Sequence, residues 1–192
     1  MNASVLLTAV ICAVVLPVVI VLGWAIATYN RLVRLRTQVK ASWAQIDVQL
    51  KRRHSLIPNL VETVKGYAAH ERGTLEAVVQ ARNTAVTASG QGAGAQAAAE
   101  GVLTQALGKL FALAEAYPTL KASENFAALQ GELANTEDKI AYARQFYNSA
   151  VQSLNAAVQQ IPTNLIAGVG GFRAEQYFEA TGGERDDVAV RF

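Results

Sequence analysis

From Val5 to Ala27 the chain reads VLLTAVICAVVLPVVIVLGWAIA, with no charged side chain. Roughly 20 apolar residues suffice for a helix to cross the bilayer core, and this run meets that length. Trp24 and Tyr29 stand near one end of it, where aromatic rings favour the headgroup level. Pro17 is tolerable in a membrane helix and is expected to kink it. Ala25-Ile26-Ala27 resembles a small-x-small cleavage site. However, no basic residue precedes the run, and the run exceeds the roughly 7–15 apolar residues of a signal peptide. The reading is an uncleaved single-pass anchor over residues 1–28.

Beyond the anchor the pattern changes to a heptad. Arg36, Trp43, Leu50, Ile57 and Val64 are spaced by seven, as are Val39, Ile46, Arg53, Leu60 and Tyr67, and the two series are offset by three and four. That is an a/d seam, apolar except at Arg36 and Arg53, and other helices must cover it. It predicts one helix from Tyr29 to Tyr67. Pro58 removes a backbone donor inside it. Because the phase survives across Pro58, a kink is expected there rather than a chain reversal. The other reading starts a new helix at Pro58.

His70 to Gly73 reads as a turn with Thr74 as an N-cap. Leu75, Val78, Val79, Arg82 and Val86 follow at helical spacing, and Ser89 to Gly94 is a glycine-rich tip. Helix resumes from about Ala95 to Tyr117, with Leu103, Leu107, Leu110, Ala114 and Tyr117 as its stripe and Pro118 as its end. Ser123 is the expected N-cap of the last long helix. Phe126, Leu133, Ile140, Tyr147, Leu154 and Ile161 form its core series. Leu129, Thr136, Ala143, Ala150 and Ala157 supply small residues at the second seam position. Pro162 stops this helix. The fold class is all-α: a transmembrane helix, then an antiparallel bundle of long coiled-coil-like helices over residues 29–162. Residues 163–192 form a last segment. Asn164 to Phe172 reads as a packed glycine-rich loop and Ala174 to Ala180 as a short helix. The tail ends in Val188-Ala189-Val190-Arg191-Phe192, either disordered or available to add to a partner.

Composition supports helices over sheets. Hydrophobic types make up 52% and aromatics 7% of 192 residues, and alanine, abundant here, is the best helix former and a poor strand former. The single cysteine, Cys12, permits no internal disulfide. It reads as a small hydrophobe in the anchor. Lipid acylation there fits poorly with the bulky Ile11 before it.

The net charge of +2 says less than its distribution. After the span come Arg31, Arg34, Arg36, Lys40, Lys51, Arg52 and Arg53, with Asp47 the one acid among them. Basic residues stay cytoplasmic, so the short N-terminus is expected outside and the helical domain in the cytoplasm. Arg31, Arg34 and Arg36 would meet the anionic leaflet, each worth about 1 kcal/mol when close to it. The simpler reading, preferred here, is a topology signal that selects no particular lipid.

Three stretches carry a family likeness: YNRLVRLRTQVKASWAQIDVQLKRRHSLIPNLVETVKGYAAHE, FALAEAYPTLKASENFAALQGELANTEDKIAYARQFYN and IPTNLIAGVGGF. Together they resemble the LemA family of bacterial membrane proteins, from Tyr29 to Phe178. The resemblance implies a single N-terminal membrane helix, an all-helical domain and a bacterial source, and it implies no established enzyme activity. A related protein associated with magnetosome membranes points to membrane organisation by analogy. The family pattern marks Arg53, Pro58, Asn59, Leu60, Glu124, Asn125, Glu132, Asn135, Glu137, Arg144 and Asn148, without catalytic roles.

The search for chemistry yields little. His54 and His70 lack further ligands at metal spacing, so no metal site is expected. No phosphate-binding loop or nucleophile elbow is present, and no cofactor is expected. Among Glu115, Glu124, Glu132, Glu137 and Asp138, Glu137 shares a helix face with Arg144, and Asn148 lies four residues further. With Arg53 from the opposite helix, Glu132 or Glu137 is expected to form a polar layer that fixes helix register. A di-metal carboxylate bundle needs Glu-x-x-His pairs that this chain lacks. The basic cluster abuts the membrane without interleaved aromatics, which argues against nucleic acid. The expected function is a non-enzymatic membrane-anchored scaffold or adaptor with no small-molecule substrate. It would act on itself, as a homo-oligomer, or on another membrane protein. The alternatives are membrane remodelling or organisation by an oligomer, and an unrecognised hydrolase or metal enzyme.

Overall fold

The computed structural model describes residues 3–68 and 70–179, with side chains from residue 13 onward. The expectations for Cys12 and for the tail beyond Thr181 lie outside these. Six helices follow in order among the described residues: α1 Ala3–Lys65, α2 Arg72–Ala88, α3 Ala93–Ala114, α4 Pro118–Lys121, α5 Glu124–Gln159 and α6 Thr163–Val169. The described residues contain no strand. The chain divides into two compact units, Met1–Ala41 with Ala150–Glu175, and Ser42–Ser149 with Gln176–Phe192.

The second unit contains parts of α1 and α5 with α2, α3 and the one-turn α4. Trp43 meets Tyr147 (ring centroids 5.2 Å apart), and Arg53 meets Glu137 further along. Numbers rise on α1 as they fall on α5, so the two helices are antiparallel. α2 and α3 form a hairpin, turned by Gly90 and Gly92 at φ +86° and +106°, values that only glycine adopts without strain. The seam predicted on α1 is inside: Ile46, Leu50, Arg53, Ile57, Leu60 and Val64 are buried. Val78, Leu103, Leu110 and Leu120 are fully buried, each worth about 1.5–3 kcal/mol relative to exposure. Phe111 of α3 meets Phe126 of α5 edge-on.

α1 runs through Pro58 without a chain reversal, as its heptad phase led one to expect. Other local expectations need correction. α2 opens at Arg72, so Thr74 lies inside the first turn and is not its cap. α3 ends at Ala114, before Pro118, and Pro118 instead opens the one-turn α4 at the position where a missing N–H costs nothing. Ser123 does precede α5, and its Oγ accepts from the Phe126 N–H at 3.5 Å. Tyr67, at the end of its heptad series, is exposed.

The first unit contains the apolar run. Its described side chains from Val14 to Leu22 are exposed throughout. Beyond it, Leu32 is buried with Ala157, Ala167 and Phe172. The Tyr29 ring meets Phe172 edge-on at 5.5 Å, and the Arg36 guanidinium stands 5.0 Å over the same ring. Arg36 and Ile161 end their series exposed. The segment read as a packed loop forms α6 instead. It closes with a bond from the Phe172 N–H to the Ala167 carbonyl (2.9 Å) and another from Gly171 to Gly168 (3.3 Å). Gly171, at φ +67°, supplies the left-handed residue this helix stop requires.

The expected helix from Ala174 to Ala180 is absent over its described residues, 174–179. Helix side chains take up that backbone. In the first unit, Asn155 accepts from the Glu175 N–H (2.8 Å) and donates to the Glu175 carbonyl (2.9 Å). In the second, Asn148 does the same for Phe178, at 2.9 and 3.1 Å. The Tyr147 hydroxyl donates to the Gln176 carbonyl at 2.8 Å. With these partners the segment needs no helical bonds of its own.

Candidate functional site

The second unit holds a buried polar node where α1 faces α3. On α3, Gln96, Glu100 and Thr104 recur every four residues, which places them on one face. On α1, Arg53 occupies a seam position and His54 is its neighbour. Arg53 and Glu100 pair at 3.1 Å, with side chains only 5% and 7% exposed. Arg53 also donates to Thr104 Oγ1 at 2.8 Å and pairs with Glu137 of α5 at 3.2 Å. His54 Nε2 lies 2.7 Å from the other Glu100 oxygen, and Gln96 Nε2 donates to that oxygen at 2.9 Å. With Glu100 ionised, His54 Nε2 must carry the proton. Gln96 also donates to the Ala85 carbonyl at 3.1 Å, in the last turn of α2, where helical partners run out.

A buried charge is tolerable only when paired and hydrogen-bonded. The node satisfies that condition by drawing on four helices at once. Parting α1 from α3 would strand ions in the core, so the node selects one packing among those that an alanine-rich seam would accept. That is a structural capability. Among the described residues, no group of three or more histidine, cysteine or acidic side chains is placed to hold a metal.

The predicted polar layer is distributed more widely than one layer. Arg53 and Glu137 are together. Glu132 instead pairs with Arg52 at 2.6 Å on an exposed rim, Asn148 brackets Phe178, and Arg144 is half-buried on α5. Sequence reasoning passed over Glu100, Gln96 and Thr104, and weighed His54 only as a metal ligand. The four-residue recurrence on α3 was the available signal. Arg31, Arg34 and Arg36 are all exposed in the first unit, just past the apolar run.

Two further features lie on the second unit. Between α1 and α5 runs an open apolar groove of about 630 Å³, lined in part by Val48, Gln49, Asp138 and Tyr142. Exposed Tyr142 packs edge-on against exposed Phe146, with centroids 4.7 Å apart. Separately, the Tyr117 hydroxyl donates to Glu71 at 3.1 Å. That bond raises the phenol above its usual range, helped by burial and by the carboxylate's charge.

A stretch able to cross a membrane, leading into an all-helical bundle, is the expected architecture of one family, and the LemA family model matches residues 42–192. The chain belongs to the LemA family. It is 27% identical to Magnetosome protein MamQ 2 of Paramagnetospirillum magneticum, in an alignment covering 86% of this chain and 70% of that one. Magnetosome protein MamQ of Magnetospirillum gryphiswaldense is 26% identical, with coverages of 78% and 64%. Protein LemA of Metamycoplasma hominis is 25% identical, with coverages of 83% and 72%. Together with the exposed apolar run in α1, these relatives assign the LemA-family chain to a membrane.

Proposed function

We propose that the chain is a membrane-anchored, non-enzymatic scaffold or adaptor, with its short N-terminus outside and its helical bundle in the cytoplasm. One observation carries this reading. The exposed apolar run and the buried seam of the bundle belong to the same uninterrupted helix, α1. Such a helix carries both the stretch that can enter a membrane and part of a folded domain, which suits a membrane-held part that positions other molecules. The exposed Tyr142 and Phe146 beside the Val48 groove offer an apolar contact surface for a second copy or for another membrane protein.

The test is the mass of the full-length protein in mild detergent, by light scattering corrected for bound detergent, followed by crosslinking in cells from position 142. A discrete oligomer, or a specific crosslink to another membrane protein that Phe146→Ser abolishes, supports the scaffold or adaptor. A monomer with no such crosslink overturns it.

A second reading is membrane organisation. It is favoured by relatives that are magnetosome proteins by name, and it predicts that the purified protein changes the shape of liposomes.

A further inference from the structure

We infer that α6 is a second membrane contact, a foot whose outer face lies in the lipid interface beside the α1 span. The inference rests on the membrane-anchor reading above.

The exposed side of α6 is apolar. Ile161, just before it, and Leu165 and Val169 within it are 80%, 67% and 93% exposed. Leu165 and Val169 are four residues apart, on one face of α6, and Ile161 precedes them in the turn. The opposite side is committed to protein, with Thr163 and Ala167 buried and Ala167 packed with Leu32 and Phe172. Large aliphatic side chains left this open in water cost solubility, and such a cluster marks a contact surface.

Its position within the first unit names the occupant. Phe172 rests on Tyr29, and Ala167 shares a core with Leu32. The apolar run of α1 ends at Ala27. At about 1.5 Å per residue, Leu32 lies about 7–8 Å beyond that end. The headgroup layer of one leaflet is roughly 5–8 Å thick, from the difference between the whole bilayer and its hydrocarbon core. α6 therefore stands at headgroup depth, next to the span, where an apolar helix face can reach the acyl boundary.

Charge agrees with that placement. No charged residue occurs from Gln145 to Phe172, so nothing on this stretch resists the interface. Arg31, Arg34 and Arg173 are exposed around it, positioned for anionic headgroups. A helix face meant for water would carry charge, and one meant for the bundle core would be covered.

The test uses full-length protein in phosphatidylcholine–phosphatidylglycerol vesicles, in a Cys12→Ser background. An environment-sensitive fluorophore is placed on Leu165→Cys or Val169→Cys, with Val19→Cys and Gln130→Cys as references. Labels at 165 and 169 are expected to emit blue-shifted light and to be quenched by lipids spin-labelled near the headgroup. The Val19 label is expected to be quenched by lipids labelled near the chain end, and the Gln130 label by neither. Aqueous emission at 165 and 169 with a deeply quenched Val19 overturns the foot and leaves the anchor standing. Aqueous emission at Val19 overturns the anchor, and the foot with it. Blue-shifted emission at 165 without quenching by either lipid means that protein covers the face, and overturns the inference too. Because Leu165 and Val169 touch little of the protein, the labels leave the core of α6 intact.

Discussion

Arg82 Nε donates to the His54 carbonyl at 2.9 Å, and His54 is the residue whose carbonyl Pro58 leaves without a helical partner. In a helix the N–H of residue 58 would bond the carbonyl of residue 54, and proline has no N–H to give. An arginine from α2 takes its place, which is one reason α1 continues past Pro58. Arg82→Leu is expected to destabilise the protein by about 1–3 kcal/mol, the cost of a buried unsatisfied carbonyl. Adding Pro58→Ala should recover much of that loss, because alanine at this position restores the helical donor. Thermal melts of the full-length protein in detergent, for the two single variants and the double, measure the coupling. Strict additivity would sink this account.

The two acids that meet Arg53 should differ sharply. Glu100 is buried, whereas the Glu137 side chain is 50% exposed. Glu100→Ala removes the buried carboxylate that Arg53, His54 and Gln96 share and is expected to cost about 3–5 kcal/mol. Glu137→Ala removes a partner that water can replace and should cost about 1 kcal/mol or less. Denaturation midpoints compared side by side decide this. Equal losses would mean that α5 anchors the node as much as α3 does.

The stop of α6 depends on two adjacent glycines for different reasons. Gly171 needs its positive φ, and alanine there should cost about 1–2 kcal/mol. Gly170 needs its missing side chain, because a Cβ would stand 2.7 Å from the Phe172 ring. Gly170→Ala should therefore displace Phe172 and expose Leu32, which faster proteolysis between Ile161 and Arg173 would reveal. Wild-type cleavage in both variants would contradict it.

Tyr117 gives a handle on alkaline pH. Its phenol is raised by Glu71, so the folded state holds that proton after the unfolded chain has lost it. The stability this bond contributes is full below the ordinary tyrosine value and is lost as pH rises through the raised folded value. In a spectrophotometric titration, the difference between wild type and Tyr117→Phe should show an ionisation above the usual range. A difference spectrum with an ordinary midpoint would remove the Glu71 bond from consideration.

Much of the bundle was legible because its driving force is periodic. Leu50, Ile57, Phe126, Leu133 and Ile140 recur by seven and are all buried, as a two-helix seam requires. The features that escaped are those fixed by a single distant partner. Glu100 reads in sequence as one acid in an alanine-rich helix, and only folding brings Arg53 and His54 to it. The segment after Phe172 has enough helix formers to suggest a helix, yet asparagines on α5 claim its backbone. α6 was hidden by its glycines. Two of them, Gly170 and Gly171, terminate the helix rather than dissolve it.

The asparagine brackets also say where this protein is free to vary. Asn155 grips residue 175 through its N–H and carbonyl alone, and every amino acid but proline offers both. The exposed glutamate at 175 is thus nearly interchangeable, while position 155 tolerates almost nothing. Aspartate would turn a lone pair toward the carbonyl, and glutamine would reach too far. Variation among natural versions of this chain should accordingly be wide at the residue held and narrow at the residue holding it.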